Sequence, residues 1–145
     1  MITAEQAVEL LERAVRERGT MWVDPVYAVE HRADFDMDSE TSMGCIYFKP
    51  PKSDVPKPYR AALWHFGVND PVCLIGLALS YVGLTADAVK GHQKEVVGML
   101  YQDGLLPEMD KDALIIFSEA QHVQDGGAPW GVALDRARKM LEDMR

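Results

Sequence analysis

The pattern of apolar and polar positions divides the chain into helical stretches joined by short β-like and proline-rich segments. Thr3-Ala4-Glu5-Gln6 has the form of a capping box. Ala7, Val8, Leu11, Ala14 and Val15 then recur at helical spacing up to Gly19, which predicts a helix over residues 4–18. Met21-Trp22-Val23 and Val26-Tyr27-Ala28-Val29 are rich in β-branched and aromatic residues and are split by Asp24-Pro25. With Cys45-Ile46-Tyr47-Phe48 they read as strands of a small hairpin, joined by the long polar loop 30–44. Four prolines (Pro50, Pro51, Pro56 and Pro58) make the next stretch an extended loop, and Tyr59 to Gly67 reads as a short helix or a third strand, the spacing of Ala62, Leu63 and Phe66 favouring the helix.

Asp70 to Gly83 is the most distinct stretch. Asp70 can cap, Pro71 suits a first helical position, Gly83 suits a stop, and no charge lies between. A helix apolar on all sides is buried, so this stretch predicts the central core helix, with Cys73 as a small buried hydrophobe. Gly76 on that helix predicts a close contact with a neighbouring helix. Thr85 offers a cap for a short helix, followed by a longer one over 92–103 that ends at Gly104. Asp110 caps a helix over 111–124, Asp125-Gly126-Gly127 breaks it, and Pro129 opens the last helix with its stripe Trp130, Ala133, Leu134, Ala137 and Leu141. The expected fold is therefore α+β: one predominantly helical domain over 1–145, with a small N-terminal β-hairpin packed on a central buried helix and a proline-rich insert over 49–69.

Composition narrows the function mainly by exclusion. The 145 residues, 48% hydrophobic and 26% charged, suit one ordinary core. A formal net charge of −8 disfavours binding to a phosphate backbone, which needs a basic face. The opening Met-Ile-Thr-Ala-Glu-Gln has no basic region or apolar run, so no signal peptide and a cytoplasmic location are expected. Two cysteines, Cys45 and Cys73, make no disulfide framework.

The candidate chemistry is sparse. The acidic run Asp34 to Glu40 invites a calcium reading, but the sixth and twelfth positions from Asp34 are Ser39 and Cys45, not glycine and glutamate. It reads as a solvated loop. His31, His65, His92 and His122 show no helix-face ligand spacing, so no metal and no cofactor are expected. Cys45 with His31 could form a nucleophilic pair, yet no neighbouring cation supplies the thiolate's stabilisation. There is no Gly-x-Ser-x-Gly elbow, phosphate loop or dinucleotide fingerprint. Gln121, Gln124 and Asp125 beside Trp130 form the densest polar cluster, read as hydrogen-bonding an interhelical turn that the tryptophan fills.

Two of these stretches carry a resemblance. Pro71-x-Cys73-Leu74-Ile75-Gly76-x-x-Leu79 and Ala120-Gln121-x-x-Gln124-Asp125-x-Gly127-x-x-Trp130-Gly131-x-Ala133-Leu134, preceded by Cys45-x-Tyr47-Phe48, resemble patterns of small proteins from actinobacteria and their phages. The likeness spans residues 20 to 137, with Lys49 to Asn69 as an insert. It implies a mostly helical cytoplasmic domain, phage-encoded, and brings neither an activity nor catalytic residues with it; a host protein is the expected target.

The expectation is a non-catalytic interaction or regulatory protein with another protein as partner, neither nucleic acid nor membrane. Tyr59, Trp64 and Phe66 of the insert are the expected contact residues. The alternative is a small enzyme using some of His31, Cys45, His122 and Asp125.

Overall fold

The computed structural model describes residues 1–32, 43 and 46–145. The acidic run 34–40 and Cys45 lie outside the described residues, and with them the calcium reading and the Cys45–His31 pair.

The first helix, α1 (Ala4–Arg18), forms where the pattern places it. Thr3 Oγ1 accepts from the Gln6 backbone N–H at 3.2 Å, and Gln6 Oε1 accepts from that of Thr3 at 2.9 Å. The predicted stripe is buried, and Gly19 ends the helix at φ +107°. Ahead of α1, Ile2 forms a parallel bridge with Met109.

The expected hairpin is absent. Among the described residues there is no β-strand, only two isolated bridges, and the domain is predominantly helical rather than α+β. Residues 26–29 lie in a helix, α2 (Pro25–Glu30). Asp24-Pro25, read as a break between strands, is a helix start. Asp24 Oδ1 accepts from Val26 N at 2.8 Å and from Tyr27 N at 3.4 Å, with Pro25 in the first turn. Val26 and Val29, three apart, are the buried pair on its inner face. Thr20 and Trp22 also pair with no strand. Their carbonyls accept from Gly131 N and Trp130 N, each at 2.8 Å, and so satisfy the open N-terminus of the last helix.

Apart from the Ile2–Met109 bridge, paired extended backbone among the described residues lies in one place. Residues 46–49 run against 69–72 through the antiparallel bridge Phe48–Pro71, with Lys49 N to Asp70 O at 2.8 Å and Val72 N to Tyr47 O at 2.9 Å. Asn69 N donates to Lys49 O at 2.8 Å, which closes the insert at its base. Within the insert lie 3₁₀ turns at Lys52–Asp54 and Lys57–Tyr59 and the short α3 (Arg60–Leu63).

The apolar run is buried as expected, but its helix α4 (Leu74–Ser80) is shorter. Cys73, not Asp70, is the cap, its Sγ accepting from Gly76 N at 3.3 Å. Asp70 instead closes a turn with Gly67 N at 2.7 Å. Gly76 is a close contact, but with extended backbone and not with a helix: a Cβ there would overlap the Tyr47 carbonyl oxygen.

The predicted 92–103 helix is also shorter, α5 (Val97–Gln102). Then follow α6 (Lys111–Asp125), capped by Asp110, and α7 (Trp130–Met144). Together α1, α4, α6 and α7 enclose the main core. A second apolar cluster joins α2 to the insert through Val26, Val29, Val55, Tyr59, Leu63 and Phe66. No helix among the described residues is long and apolar enough to cross a membrane.

Candidate functional site

The insert folds outward from its own anchors. Tyr59, Leu63 and Phe66 follow at i, i+4 and i+7, the spacing of one helical face. All three are buried, Tyr59 completely and Phe66 at 7% exposure. The Tyr59 hydroxyl donates to Glu30 Oε1 at 2.9 Å and accepts from Met43 N at 3.2 Å. Phe66 meets Trp22 edge to face at 6.4 Å between ring centroids. Trp64 sits on the opposite face and is 76% exposed. Of the three expected contact aromatics, Trp64 alone offers surface; Tyr59 and Phe66 hold the insert in place.

Beside Trp64 lies a pocket of about 200 Å³ lined by Lys49, Lys52, Val55, Arg60, Leu63 and Trp64. Val55 and Leu63 make its apolar floor and the three basic residues its polar wall. Lys49 is only 9% exposed, with Nζ donating to Phe66 O at 2.6 Å. Arg60 Nε donates to Val55 O at 3.2 Å. Among the described residues, no carboxylate forms an ion pair with Lys49, Lys52 or Arg60. Sequence reasoning passed over these cations. The signal for them was local charge: residues 49–60 hold Lys49, Lys52, Lys57 and Arg60 against Asp54 alone, in a chain of net charge −8.

A second unusual assembly seals the seam between the two cores. The Arg18 guanidinium lies 5.4, 5.1 and 5.9 Å from the ring centres of Trp22, Phe66 and Trp130 and donates to Pro71 O at 2.8 Å. Burial pulls its pKa down from the ordinary arginine value. Trp22 packs against both clusters.

The residues of the catalytic alternative are placed as follows. His31 is exposed, its ring stacked on Tyr27 at 3.8 Å. The Tyr27 ring lies against Gly127, in the turn after Asp125. His122 projects into solvent from α6. Asp125 accepts from Gln124 Nε2 at 2.7 Å.

The polar cluster of α6 reaches further than its own turn. Gln124 Oε1 accepts from Leu74 N at 2.6 Å, at the start of α4. Gln121 Oε1 accepts from Val97 N at 2.7 Å, at the start of α5, and its Nε2 donates to the Tyr47 hydroxyl at 2.8 Å. Close to the turn, the buried Asp24 carboxyl is pushed up to about 6, chiefly by desolvation, with Asp125 and Glu30 adding to the rise and the capped N–H groups opposing it.

Among the described residues, one group could hold a cation. His92, Glu95 and Asp103 each bring one ligand atom within 4.8 Å of the others, on a partly exposed surface where His92 Nδ1 already lies 2.9 Å from Glu95 Oε2.

No family model matches the chain, and comparison with curated proteins and with solved structures returns no match.

Proposed function

We propose that this is a non-catalytic cytoplasmic protein that binds another protein, in a regulatory role, through the face of its proline-rich insert around Trp64. The observation that carries this reading is the exposure of Trp64 beside an uncompensated basic pocket. An indole is among the largest apolar groups a chain can bury, and tryptophan anchors are enriched at interface centres. The same segment buries its other large aromatics, so the insert has the means to cover a ring and leaves this one uncovered.

The test uses the whole chain with Trp64→Ala. A partner captured stoichiometrically by the wild type should be lost with the variant, whose thermal unfolding should be unchanged. Retention of the same partner at the same yield would refute the reading. Phe66→Ala is unsuited to this purpose, because truncating a buried phenylalanine removes about 3–5 kcal/mol of stability.

A further inference from the structure

We infer that the Lys49–Lys52–Arg60 pocket is the seat for an oxyanion, a carboxylate or phosphoryl group, carried on an acidic segment of the partner. This deepens the interaction reading and rests on it. Three observations carry it.

The first is Lys49. Its ammonium has three donors and is buried, yet its described hydrogen bond is to one neutral carbonyl, that of Phe66. A buried charge is ordinarily paired, because low-dielectric surroundings penalise it otherwise. The second is convergence. Lys52 and Arg60 line the same small cavity, and neither has a described carboxylate partner. Arg60 uses Nε on Val55 O, which leaves the outer nitrogens of its fork for an oxyanion. The third is size and setting. About 200 Å³ is below the usual range for a drug-sized ligand and suits one side-chain head group. Trp64 at the rim offers an apolar face for the residue beside that head group.

The acidic character of the whole chain sharpens the partner's nature. A net charge of −8 repels free anions at long range, but screening confines that repulsion to about 8–10 Å at ordinary salt. The seat therefore acts at contact range, and an anion delivered on a segment that also covers Trp64 should bind better than a free one.

The experiment titrates the full-length protein with three probes, following the Trp64 indole N–H signal by NMR. The probes are inorganic phosphate, the peptide acetyl-Glu-Glu-Leu-Glu-amide, and the same peptide with phosphoserine replacing the central glutamate. The expected result is saturable binding of at least one peptide, competed by phosphate. Lys49→Met and Arg60→Gln should each weaken it by roughly tenfold or more, with Lys52→Gln weaker in effect. Arg60 and Lys52 are exposed, so these two variants keep the test valid if Lys49→Met fails to fold. Tighter binding of the phosphoserine peptide would assign a phosphoryl group, and tighter binding of the glutamate peptide a carboxylate. No saturable shift with any probe, or binding indifferent to Arg60→Gln and Lys52→Gln, overturns the inference. That failure is separable from failure of the interaction reading, which shows as a captured partner insensitive to Trp64→Ala.

Discussion

Asp24 makes the fold sensitive to pH in a direction opposite to that of most carboxylates. It is 4% exposed and caps α2, and its pKa rises from an ordinary 3.8 to about 6. Desolvation is the largest cause, and the negative neighbours Asp125 and Glu30 add to it; the N–H groups of Val26 and Tyr27 pull the other way without prevailing. The folded state therefore holds this proton more tightly than the unfolded chain does. The stabilisation is fully present below pH 3.8 and is lost as pH rises through about 6. At about 1.36 kcal/mol per pKa unit, the full swing is about 3 kcal/mol. Asp24→Asn keeps an oxygen acceptor for the capped amides and removes the titration. Urea unfolding of both proteins from about pH 4.5 to 7.5 should give stability curves that diverge as pH rises, the variant gaining on the wild type by about 2 kcal/mol across that range, because about 1 kcal/mol of the swing lies below pH 4.5. Parallel curves would show that Asp24 does not titrate in this window. Divergence in the other sense would show that the capping bonds outweigh burial.

Three further outcomes follow from packing. Gly76→Ala should destabilise by about 1–3 kcal/mol or more, since the methyl meets the backbone oxygen of Tyr47, which cannot swing away as a side chain would; an unchanged urea midpoint would mean that the two segments separate freely. Gln124→Leu leaves the buried Leu74 N–H without its acceptor and should remove about 1–3 kcal/mol, read as a lowered melting temperature. Trp64→Ala should alter stability by less than about 0.5 kcal/mol; a larger loss in urea would mean that the ring packs on the insert and is not free for a partner.

The long elements were legible because their signals are local and agree. The capping box and apolar stripe of α1, and Asp110 with the apolar face of α6, set those boundaries to within a residue. The failures came where tertiary partners decide. Val26 and Val29 favour strands by type, but they stand three apart, behind a capping Asp24 and Pro25, and the cap prevails. In the apolar run, burial was read correctly and the helix start was not. Val72 N is already committed to Tyr47 O and Pro71 O to Arg18, so residues 71–72 stay extended and Cys73 takes the cap. In the insert, residue type alone groups Tyr59 and Phe66 with Trp64. Their spacing with Leu63 marks an inner face and puts Trp64 on the outer one. Lys49 escaped notice because nothing local shows that a lysine beside two prolines will be buried.

Three glutamines help to hold the extended residues just before Lys49 where no neighbouring strand does. Extended backbone usually satisfies its N–H groups with a neighbouring strand. Here Gln93 Oε1 accepts from both Tyr47 N and Phe48 N, at 2.9 and 2.8 Å. Gln121 donates to the Tyr47 hydroxyl, which in turn donates to Glu95 O at 2.6 Å. Gln124 holds the start of α4, whose Gly76 lies against the Tyr47 carbonyl. Residues 47 and 48 are thus gripped from α4, α6 and the turn before α5, and the next residue along the chain is Lys49. The backbone that leads into Lys49 is therefore held by the helical core as well as by Asn69 and Asp70, while Lys52 and Arg60 belong to the insert itself. Disturbing Gln93 or Gln121 should displace Lys49 without touching any other residue of the pocket, so in their Ala variants oxyanion affinity should fall while Trp64 stays exposed. Unaltered affinity in both variants, with the fold intact, would mean that the insert positions Lys49 by itself.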